Sequence, residues 1–290
     1  MDYAPVLIAI FFIAFAYAVA SSKGVVGILA SGLALAAATA TLLAGFEFLP
    51  GLAKTWLDIS TTWRFTLGVA AGAASVVFLA SRIVLAFILK RLFNRDGWLH
   101  PLCDGTGGGI LSLGPSLVTV FLLFTCIRAA GTVQELNYID SLAREGIRSM
   151  GGSIPSYPIS ATWRNAIERL PFLAPALDAT DPFSRRPARN AAAFVLAHDG
   201  VALRNHLVAQ PGSGVLMDSP KWQELVADPE VADALAKLDR VALVTSPAVR
   251  VAAEDPARRR DLTSVVLEPA IKSFVDSLKS EPAPEPADDF

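Results

Sequence analysis

The sequence is short of charged residues. Only 18% of its 290 residues are Asp, Glu, Lys or Arg, whereas 53% are apolar and the mean hydropathy is +0.46. Soluble domains usually carry charge on about a quarter of their residues. The deficit argues against an ordinary soluble protein and favours a membrane protein.

The few charges are unevenly distributed. Through residue 130 there are eight basic and five acidic residues, a net charge of +3, and the remaining 17 basic and 22 acidic residues give −5. A basic apolar region is therefore joined to a mildly acidic one. Neither half has the dense basic stripe of a nucleic-acid-binding protein, so we expect no nucleic-acid partner.

Cysteine and histidine are also scarce. Cys103 and Cys126 both lie in the apolar half, so no disulfide framework supports the rest of the chain. The only grouping of histidines, around His198 and His206, is interrupted by Gly200, which would break the helix that aligns them. We therefore expect neither a metal site nor a bound cofactor.

Catalytic motifs are missing as well. No Gly-x-Ser-Gly turn is present, and Ser116 follows Gly114-Pro115 inside an apolar segment without the closing glycine of a nucleophile elbow. The glycine-rich run 105–109 is not followed by Lys-Ser/Thr, as a phosphate-binding loop would be. The sequence therefore predicts a protein that is not an enzyme.

Long apolar segments dominate the first 130 residues. A membrane-spanning helix needs about 20 apolar residues, and four segments approach or exceed that length. They are 4–20, 25–46, 65–89 and 105–130. We therefore predict an all-α, polytopic protein with a four-helix transmembrane unit over 1–130 and a mostly helical extramembrane domain after it.

Basic residues between these segments predict the orientation. Lys90, Arg91 and Arg95 follow the third segment, and Lys23 lies on the same side if all four segments span. Basic loops face the cytoplasm. The prediction is a multi-pass protein of the bacterial inner (cytoplasmic) membrane with both termini in the periplasm. Ala18-Val19-Ala20 offers the alternative of a cleaved signal peptide, but no cation precedes the apolar run.

Small residues recur every fourth position in two of the segments. Such stripes let helix backbones approach closely, which favours packing within the chain or, alternatively, a homo-oligomer. Pro115 should kink the last segment and free the Leu111 carbonyl, with nearby serine hydroxyls compensating. The residues are Gly68, Gly72, Gly105, Gly108, Gly109, Ser112 and Ser116.

Arg82 is the one charge well inside an apolar segment. It precedes Lys90 by eight residues, about 12 Å of helix, so its long side chain should snorkel to the basic face. The alternative is a position on an ion or solute path.

Together these features resemble the colicin V production protein (CvpA) family over residues 1–130. Asp2 opens the first segment, Lys23-Gly24 closes the first hairpin, and Asp104 precedes the small residues of the last segment, in the pattern of that family. The resemblance implies a non-enzymatic inner-membrane protein of the envelope, associated with colicin V production or secretion, a toxin biosynthetic process, and with biofilm formation.

The remainder of the chain is divided by prolines. Residues 131–187 are Pro-rich, so an irregular connecting region with short helices is expected there, and the acidic Pro-rich tail 281–290 is predicted to be disordered. Between them, 188–280 should form a helical domain. In it Ser219-Pro220 and Asp228-Pro229 recur 27 residues later as Ser246-Pro247 and Asp255-Pro256. Each dipeptide is a helix start, and we interpret the period as a duplication of two helices, one of about eight residues and one longer.

Three functions stay open on this sequence. The first is the envelope role that the resemblance implies. The second is a component of a small-solute channel or transporter. The third is a membrane-anchored scaffold whose helical periplasmic module binds a peptide or an envelope or secretion protein, with the lipid bilayer as its other partner.

Overall fold

The computed structural model describes residues 4–23, 26–57, 63–92, 105–149, 156–171, 173–180, 185–198, 200–209 and 220–280. Regular structure in these ranges is entirely helical, as the composition and periodicity predict. The chain divides into two compact units, which are considered separately. The first unit comprises 1–129 and 162–182, and the second comprises 130–161 and 183–290.

Four helices account for most of the first half of the chain. They are α1 (Ala4–Lys23), α2 (Val26–Leu57), α3 (Trp63–Leu92) and α4 (Gly105–Ser149). The stretches Val26–Gly45, Gly68–Leu92 and Gly108–Arg144 are long and apolar enough to cross a membrane. The apolar part of α1 is shorter, Ala4–Ala18. Three of the predicted spans are thus confirmed as suitable helices, and the first stays a prediction.

The first unit has large apolar side chains on its outside. On α1 and α3 the rings of Phe11 and Phe87 and the side chain of Ile83 are exposed by 73%, 69% and 71%. Its buried positions on α2 and α3 are small instead. They are Ala30, Ala34 and Ala38 on α2 and Thr66, Ala70 and Ala74 on α3, each a four-residue repeat. This reversal of the usual order is what lipid, rather than water, around the helices requires.

The glycine pair predicted on α3 lies outside this packing. Gly68 and Gly72 are exposed, and a Cβ atom added at either would meet nothing within 4 Å. α2 packs against α3 on nearly the opposite side, where the Cβ atom of Ala70 lies 3.0 Å from the position that a Cβ atom at Gly45 of α2 would take. Within the described residues Gly68 and Gly72 therefore contact no other helix, and helix packing or homo-oligomer contact through them stays a prediction.

On α4 the predicted stripe of small residues is buried. Gly108, Gly109, Ser112 and Ser116 are all inaccessible, and the same four-residue spacing continues to Val120. The hydroxyl of Ser112 donates to the Gly109 carbonyl at 2.7 Å, and that of Ser116 to the Ser112 carbonyl at 2.7 Å. The prediction that these hydroxyls compensate the carbonyl of residue 111 is wrong, because each serine reaches a carbonyl on its own side of the helix.

Gly32 on α2 explains how closely α4 approaches. A Cβ atom at this position would overlap the Pro115 ring. Pro115 is itself buried inside α4. A glycine on one helix therefore accommodates the proline of another, which is a contact that the spacing of glycines along a single helix could not reveal.

α4 does not end near residue 130 but continues to Ser149. The prediction of an irregular segment was wrong for 131–149. This stretch contains no proline, since the breakers begin only at Pro155. Its buried residues Leu136, Ile139 and Leu142 repeat at helical spacing, so the extension has a core-facing side of its own.

Ten shorter helices complete the described chain. They are α5 (Ile159–Glu168), α6 (Leu173–Thr180), α7 (Arg186–Leu196), α8 (Val201–Val208), α9 (Pro220–Val226), α10 (Pro229–Ala236), α11 (Arg240–Thr245), α12 (Pro247–Glu254), α13 (Pro256–Ser264) and α14 (Leu267–Ser280). In the second unit α7 is buried from Ala188 to Leu196 and packs against α11, α12 and α13. The core of the second unit contains Phe194 of α7 together with Trp222 and Ile271.

The Ser-Pro and Asp-Pro dipeptides mark helix starts as predicted. Pro220, Pro229, Pro247 and Pro256 are the first residues of α9, α10, α12 and α13. The predicted longer second helix is wrong in the first repeat, where α9 has seven residues and α10 only eight. α10 stops there because Leu238 adopts a positive φ of 54° and Asp239 begins α11. The tail 281–290 lies outside the described residues.

Candidate functional site

The most unusual side chain of the first unit is Arg128 on α4. It is fully buried, although it lies in the apolar stretch Gly108–Arg144. From Gly108 to Arg128 the helix rises about 30 Å, the thickness of the hydrocarbon core of a bilayer. If α4 crosses the membrane from Gly108, the guanidinium is therefore at the far boundary of the apolar layer.

Two carboxylates from later in the chain bind this guanidinium. Arg128 Nε donates to Glu168 Oε1 at 3.2 Å, and Arg128 Nη2 donates to Asp178 Oδ1. Glu168 is almost entirely buried, whereas about a third of the Asp178 side chain is exposed. α5 and α6 each supply one acid, so the arginine connects two short helices to α4.

A second arginine is buried beside the first. Arg164 is fully buried, and its Nη2 donates to Asn165 Oδ1 at 2.7 Å. Its Nε lies 3.9 Å from Glu168 Oε1. We call Arg128, Arg164, Glu168 and Asp178 the Arg128 cluster. With two cations and two anions it is neutral as a whole, which is the condition under which buried charges are tolerated.

Apolar contacts surround the Arg128 cluster. Val120 and Phe124 of α4 pack with Ile167 of α5, Leu177 of α6 and Ala9 of α1. The segment 162–182 therefore returns onto the apolar helices of the first unit. The ion pairs alone would not hold it, since desolvation of a buried pair offsets much of its attraction. Burial of the apolar side chains supplies the driving force, and the charges define one register.

Sequence reasoning identified Arg128 only as the last basic residue of the apolar half. Its acidic partners lie 40 and 50 residues away along the chain, in the Pro-rich segment. On α5 both Ile167 and Arg164 are fully buried. The sequence signal that could have indicated the cluster is Arg164, a charged residue on the same helical face as the apolar Ile167.

The second unit contains its own buried polar group on α4. Glu135 is fully buried and accepts a hydrogen bond from the Tyr157 hydroxyl, while Arg189 Nε of α7 lies 3.9 Å from its other oxygen. The amide of Asn190 donates to the carbonyls of Leu262 and Val265 at 2.6 and 3.0 Å. These bonds satisfy the carbonyls at the end of α13 inside the core.

One turn further along α4, Asp140 pairs with two arginines. Arg144 Nε donates to Asp140 Oδ1 at 2.7 Å, and Arg240 Nη2 of α11 donates to Asp140 Oδ2. Burial lowers the pKa of Arg240, and attraction to Asp140 opposes that effect. α4 thus offers two carboxylates along its extension, to which α7 and α11 supply the arginines.

A close backbone approach fixes the turn between α7 and α8. A Cβ atom at Gly200 would lie 2.9 Å from the Cα atom of Ala143 on α4. Any other residue would push this turn away from the α4 extension. Gly200, which interrupts the histidine region, is therefore a packing residue. Separately, the ring of His206 lies edge-on to Phe274, with the ring centroids 5.2 Å apart.

The remaining predicted residues lie apart from these groups. Arg82 is exposed on α3, and within the described ranges it has no hydrogen bond or ion pair. Asp2, Gly24 and Asp104, on which the resemblance rests, fall outside the described residues, as does the side chain of Lys23. Gly105 begins α4, and its surroundings are likewise outside the description.

Comparison of the chain with protein-family models, with curated proteins and with solved structures finds no match.

Proposed function

We propose that this protein is a non-enzymatic, membrane-anchored scaffold of the bacterial inner membrane, in which the second unit binds an envelope or secretion protein. One observation carries the proposal. The chain contains two units with separate cores, and most of the exposed large apolar side chains among the described residues belong to the first unit. An anchor in lipid and a folded module on the same chain are the two parts that a scaffold needs.

The composition of the second core supports a self-sufficient module. Leu136, Phe194, Trp222, Leu243 and Ile271 are buried together in it. The stacking of short helices around α7 leaves a few apolar side chains on the surface, among them Val201 and Val251, which are 68% and 72% exposed. Their exposure makes these two positions suitable for probing contact with another protein.

The envelope role of the colicin V production family is compatible with this proposal. In that view the scaffold assists secretion, biofilm formation or envelope integrity, with both termini in the periplasm. The resemblance lies in the apolar half alone, so the partner-binding function belongs to residues that the resemblance does not cover.

A solute path through the first unit has less support. α2 packs along α3, with Gly45 close to Ala70, and Gly32 adjoins Pro115 of α4, so the described helices approach each other closely at these points. A transport role for Arg82 would make Arg82→Ala change solute flux at an unchanged protein level. Equal loss of protein would indicate a packing role instead.

Photo-crosslinking in cells tests the scaffold proposal on the full chain. A photoreactive residue replaces Val201 or Val251 in the second unit, and Phe11 or Ile83 on the lipid-exposed side serves as the matched control. We expect the second-unit positions to yield the same discrete envelope-protein adduct, identified by mass spectrometry, that the control positions lack. Absence of any protein adduct from both valines would contradict the proposal.

A further inference from the structure

The side of α3 that points away from α2 has a regular spacing of residues. Gly68, Gly72, Ser75, Leu79 and Arg82 follow alternating steps of four and three residues, which place them on one face of the helix. All five are exposed, and a Cβ atom at either glycine would meet nothing within 4 Å. Of the three long apolar helices, α3 is the least buried within the described chain. We call these five residues the Arg82 face.

The spacing of the Arg82 face is that of a helix pair. Steps of four and three residues make a seven-residue repeat, with which one helix packs along another over several turns. From Gly68 to Arg82 the repeat extends about 21 Å along the helix axis. Glycine and serine at its start allow a second backbone to approach closely. The Ser75 hydroxyl already donates to the Ala71 carbonyl at 2.8 Å, so it can be covered without losing a hydrogen bond.

Arg82 distinguishes this face from a purely apolar one. It lies near the middle of the apolar stretch Gly68–Leu92, and within the described ranges its guanidinium has no hydrogen bond or ion pair. The Cα–Cβ bonds of a helix tilt towards its N-terminus, so the Arg82 side chain leaves α3 in the direction away from Lys90. Snorkelling to the Lys90 end would have to turn it back over about 12 Å of helix. A charge at this depth is costly, and a nearby carboxylate lowers that cost.

The apolar helices of this chain offer no acid at the depth of Arg82. Neither Asp nor Glu occurs in residues 4–45, 63–92 or 105–130. Glu47 of α2 belongs to the other end of the helix pair, because Gly45, two residues before it, adjoins Ala70 of α3. A second copy of the chain has the same composition, and in a two-fold pair of α3 helices the two Arg82 side chains would repel each other. The counter-charge therefore has to come from a different protein.

We propose that the Arg82 face of α3 binds a transmembrane helix of another membrane protein, and that this helix carries an Asp or Glu at the depth of Arg82. The guanidinium and the carboxylate form a charge-assisted pair, which is stronger in lipid than in water because the local dielectric is low. Close packing along Gly68, Gly72 and Ser75 adds the dispersion contacts that associate helices in lipid. Neither contact involves the second unit, so binding at this face is independent of the scaffold function.

Synthetic transmembrane peptides test the pairing on the full chain in phosphatidylcholine vesicles. The peptides are Leu-Ala helices of about 20 residues that differ at one central position, which is Glu, Gln or Lys. Energy transfer between labels on the chain and on the peptide measures affinity. A polar contact between helices in lipid is worth about 1–2 kcal/mol in model peptides, so the Glu peptide should bind roughly tenfold more tightly than the Gln peptide. The Lys peptide should bind most weakly, and Arg82→Gln should abolish the preference for Glu.

Two further arginine variants separate pairing from loss of the fold. Arg91→Gln is the matched control, because Arg91 is exposed nine residues after Arg82, on the opposite side of α3. We expect it to keep the full preference for the Glu peptide. Arg82→Glu should reverse the preference in favour of the Lys peptide, which a misfolded chain would not do.

A pair of leucine variants tests the packing part of the face. Gly72→Leu fills the open space at the start of the face, so it should weaken the binding of all three peptides. Ala80→Leu adds the same side chain at a position of α3 that is exposed outside the Arg82 face, and binding should not change.

Four results would overturn the proposal. The first is equal binding of the Glu and Gln peptides, and the second is loss of the preference in Arg91→Gln. Association between labelled copies of the full chain that displaces the Glu peptide would assign the face to a second copy. Loss of the preference when phosphatidylglycerol replaces half of the phosphatidylcholine would assign Arg82 to lipid headgroups.

Discussion

Buried charge is the property that distinguishes individual residues of this protein. Arg128, Arg164 and Glu168 are all inaccessible within one unit, close to apolar helices. A buried ion pair contributes little net stability compared with an apolar pair, but removal of one member leaves an uncompensated charge. The Arg128 cluster therefore acts as a register for α5 and α6, and its members should tolerate joint replacement better than single replacement.

Substitution of Arg128 by Met should be strongly destabilising. Glu168 would lose its nearest cation while staying buried, which costs about 3 kcal/mol or more. The free-energy cost of losing Arg128 is smaller for Asp178 than for Glu168, because the Asp178 carboxylate is partly exposed to solvent. The measurement is thermal unfolding of the purified protein in detergent.

Arg82→Met provides the control for that experiment. Arg82 is exposed and, within the described ranges, has no ion pair, so its loss should shift the melting temperature little. If Arg128→Met and Arg82→Met melted at the same temperature, the buried pairing of Arg128 would be refuted.

Glycine positions give a second prediction at the residue scale. Gly32→Ala places a methyl group into Pro115 of α4, so overpacking should destabilise the first unit by about 1–3 kcal/mol. Gly68→Ala and Gly72→Ala add a methyl group where nothing lies within 4 Å. We expect both to keep the melting temperature of the unmodified protein. The reverse order of effects would mean that α3 packs through its glycines.

At the scale of elements, helix ends follow local chemistry closely. The Asp228 carboxylate accepts from the backbone N–H groups of Glu230 and Val231 at 2.9 and 3.2 Å, which satisfies two donors at the start of α10. Ser246 is the N-cap residue of α12, but its side chain makes no such bond. Its hydroxyl is buried without a hydrogen-bond partner within the described part of the chain. The Asp-Pro start of α10 is therefore capped by its side chain, whereas the Ser-Pro start of α12 is not.

This difference predicts opposite responses to alanine. Asp228→Ala should lower the free energy of unfolding by about 1 kcal/mol, since two amides lose their acceptor. Ser246→Ala removes a hydroxyl that is buried without a partner, so it should be neutral or slightly stabilising. Chemical denaturation of the full chain, followed by the fluorescence of the buried Trp222, measures both. A greater loss for Ser246→Ala would contradict the assigned caps.

The sequence pattern predicted too short a helix at α4. Its apolar run ends near residue 130, and from there the helix continues through polar residues to Ser149. Hydropathy identifies only the apolar part of α4, before residue 130, and not its polar continuation. The continuation is amphipathic. The role of its buried carboxylates Glu135 and Asp140 becomes evident only in the tertiary structure, where arginines of α7 and α11 lie beside them.

At the scale of the whole molecule, the number of spans decides which compartment contains the second unit. Among the described residues three helices are long and apolar enough to cross a membrane, and the apolar part of α1 is shorter. We predict that α1 spans as well, which puts both termini on the same side. Reporter fusions at each terminus, active on only one side of the membrane, measure this directly.

Both fusions should report the periplasm. Opposite compartments for the two termini would mean that α1 does not cross, and two cytoplasmic termini would reverse the orientation predicted from Lys90, Arg91 and Arg95. Only a cytoplasmic C-terminus would move the scaffold's partner to the other side of the membrane.

The sequence by itself determined what depends on neighbours along the chain. Helix class, the three long apolar helices and the starts of α9, α10, α12 and α13 follow from composition, segment length and the Ser-Pro and Asp-Pro dipeptides. The tertiary structure alone decided which faces meet. It selected Ala70 rather than Gly68 as a contact, placed Gly32 against Pro115, and brought Asp178 to Arg128 across 50 residues. Contacts of this kind depend on the summed burial of whole helices, which no local pattern contains.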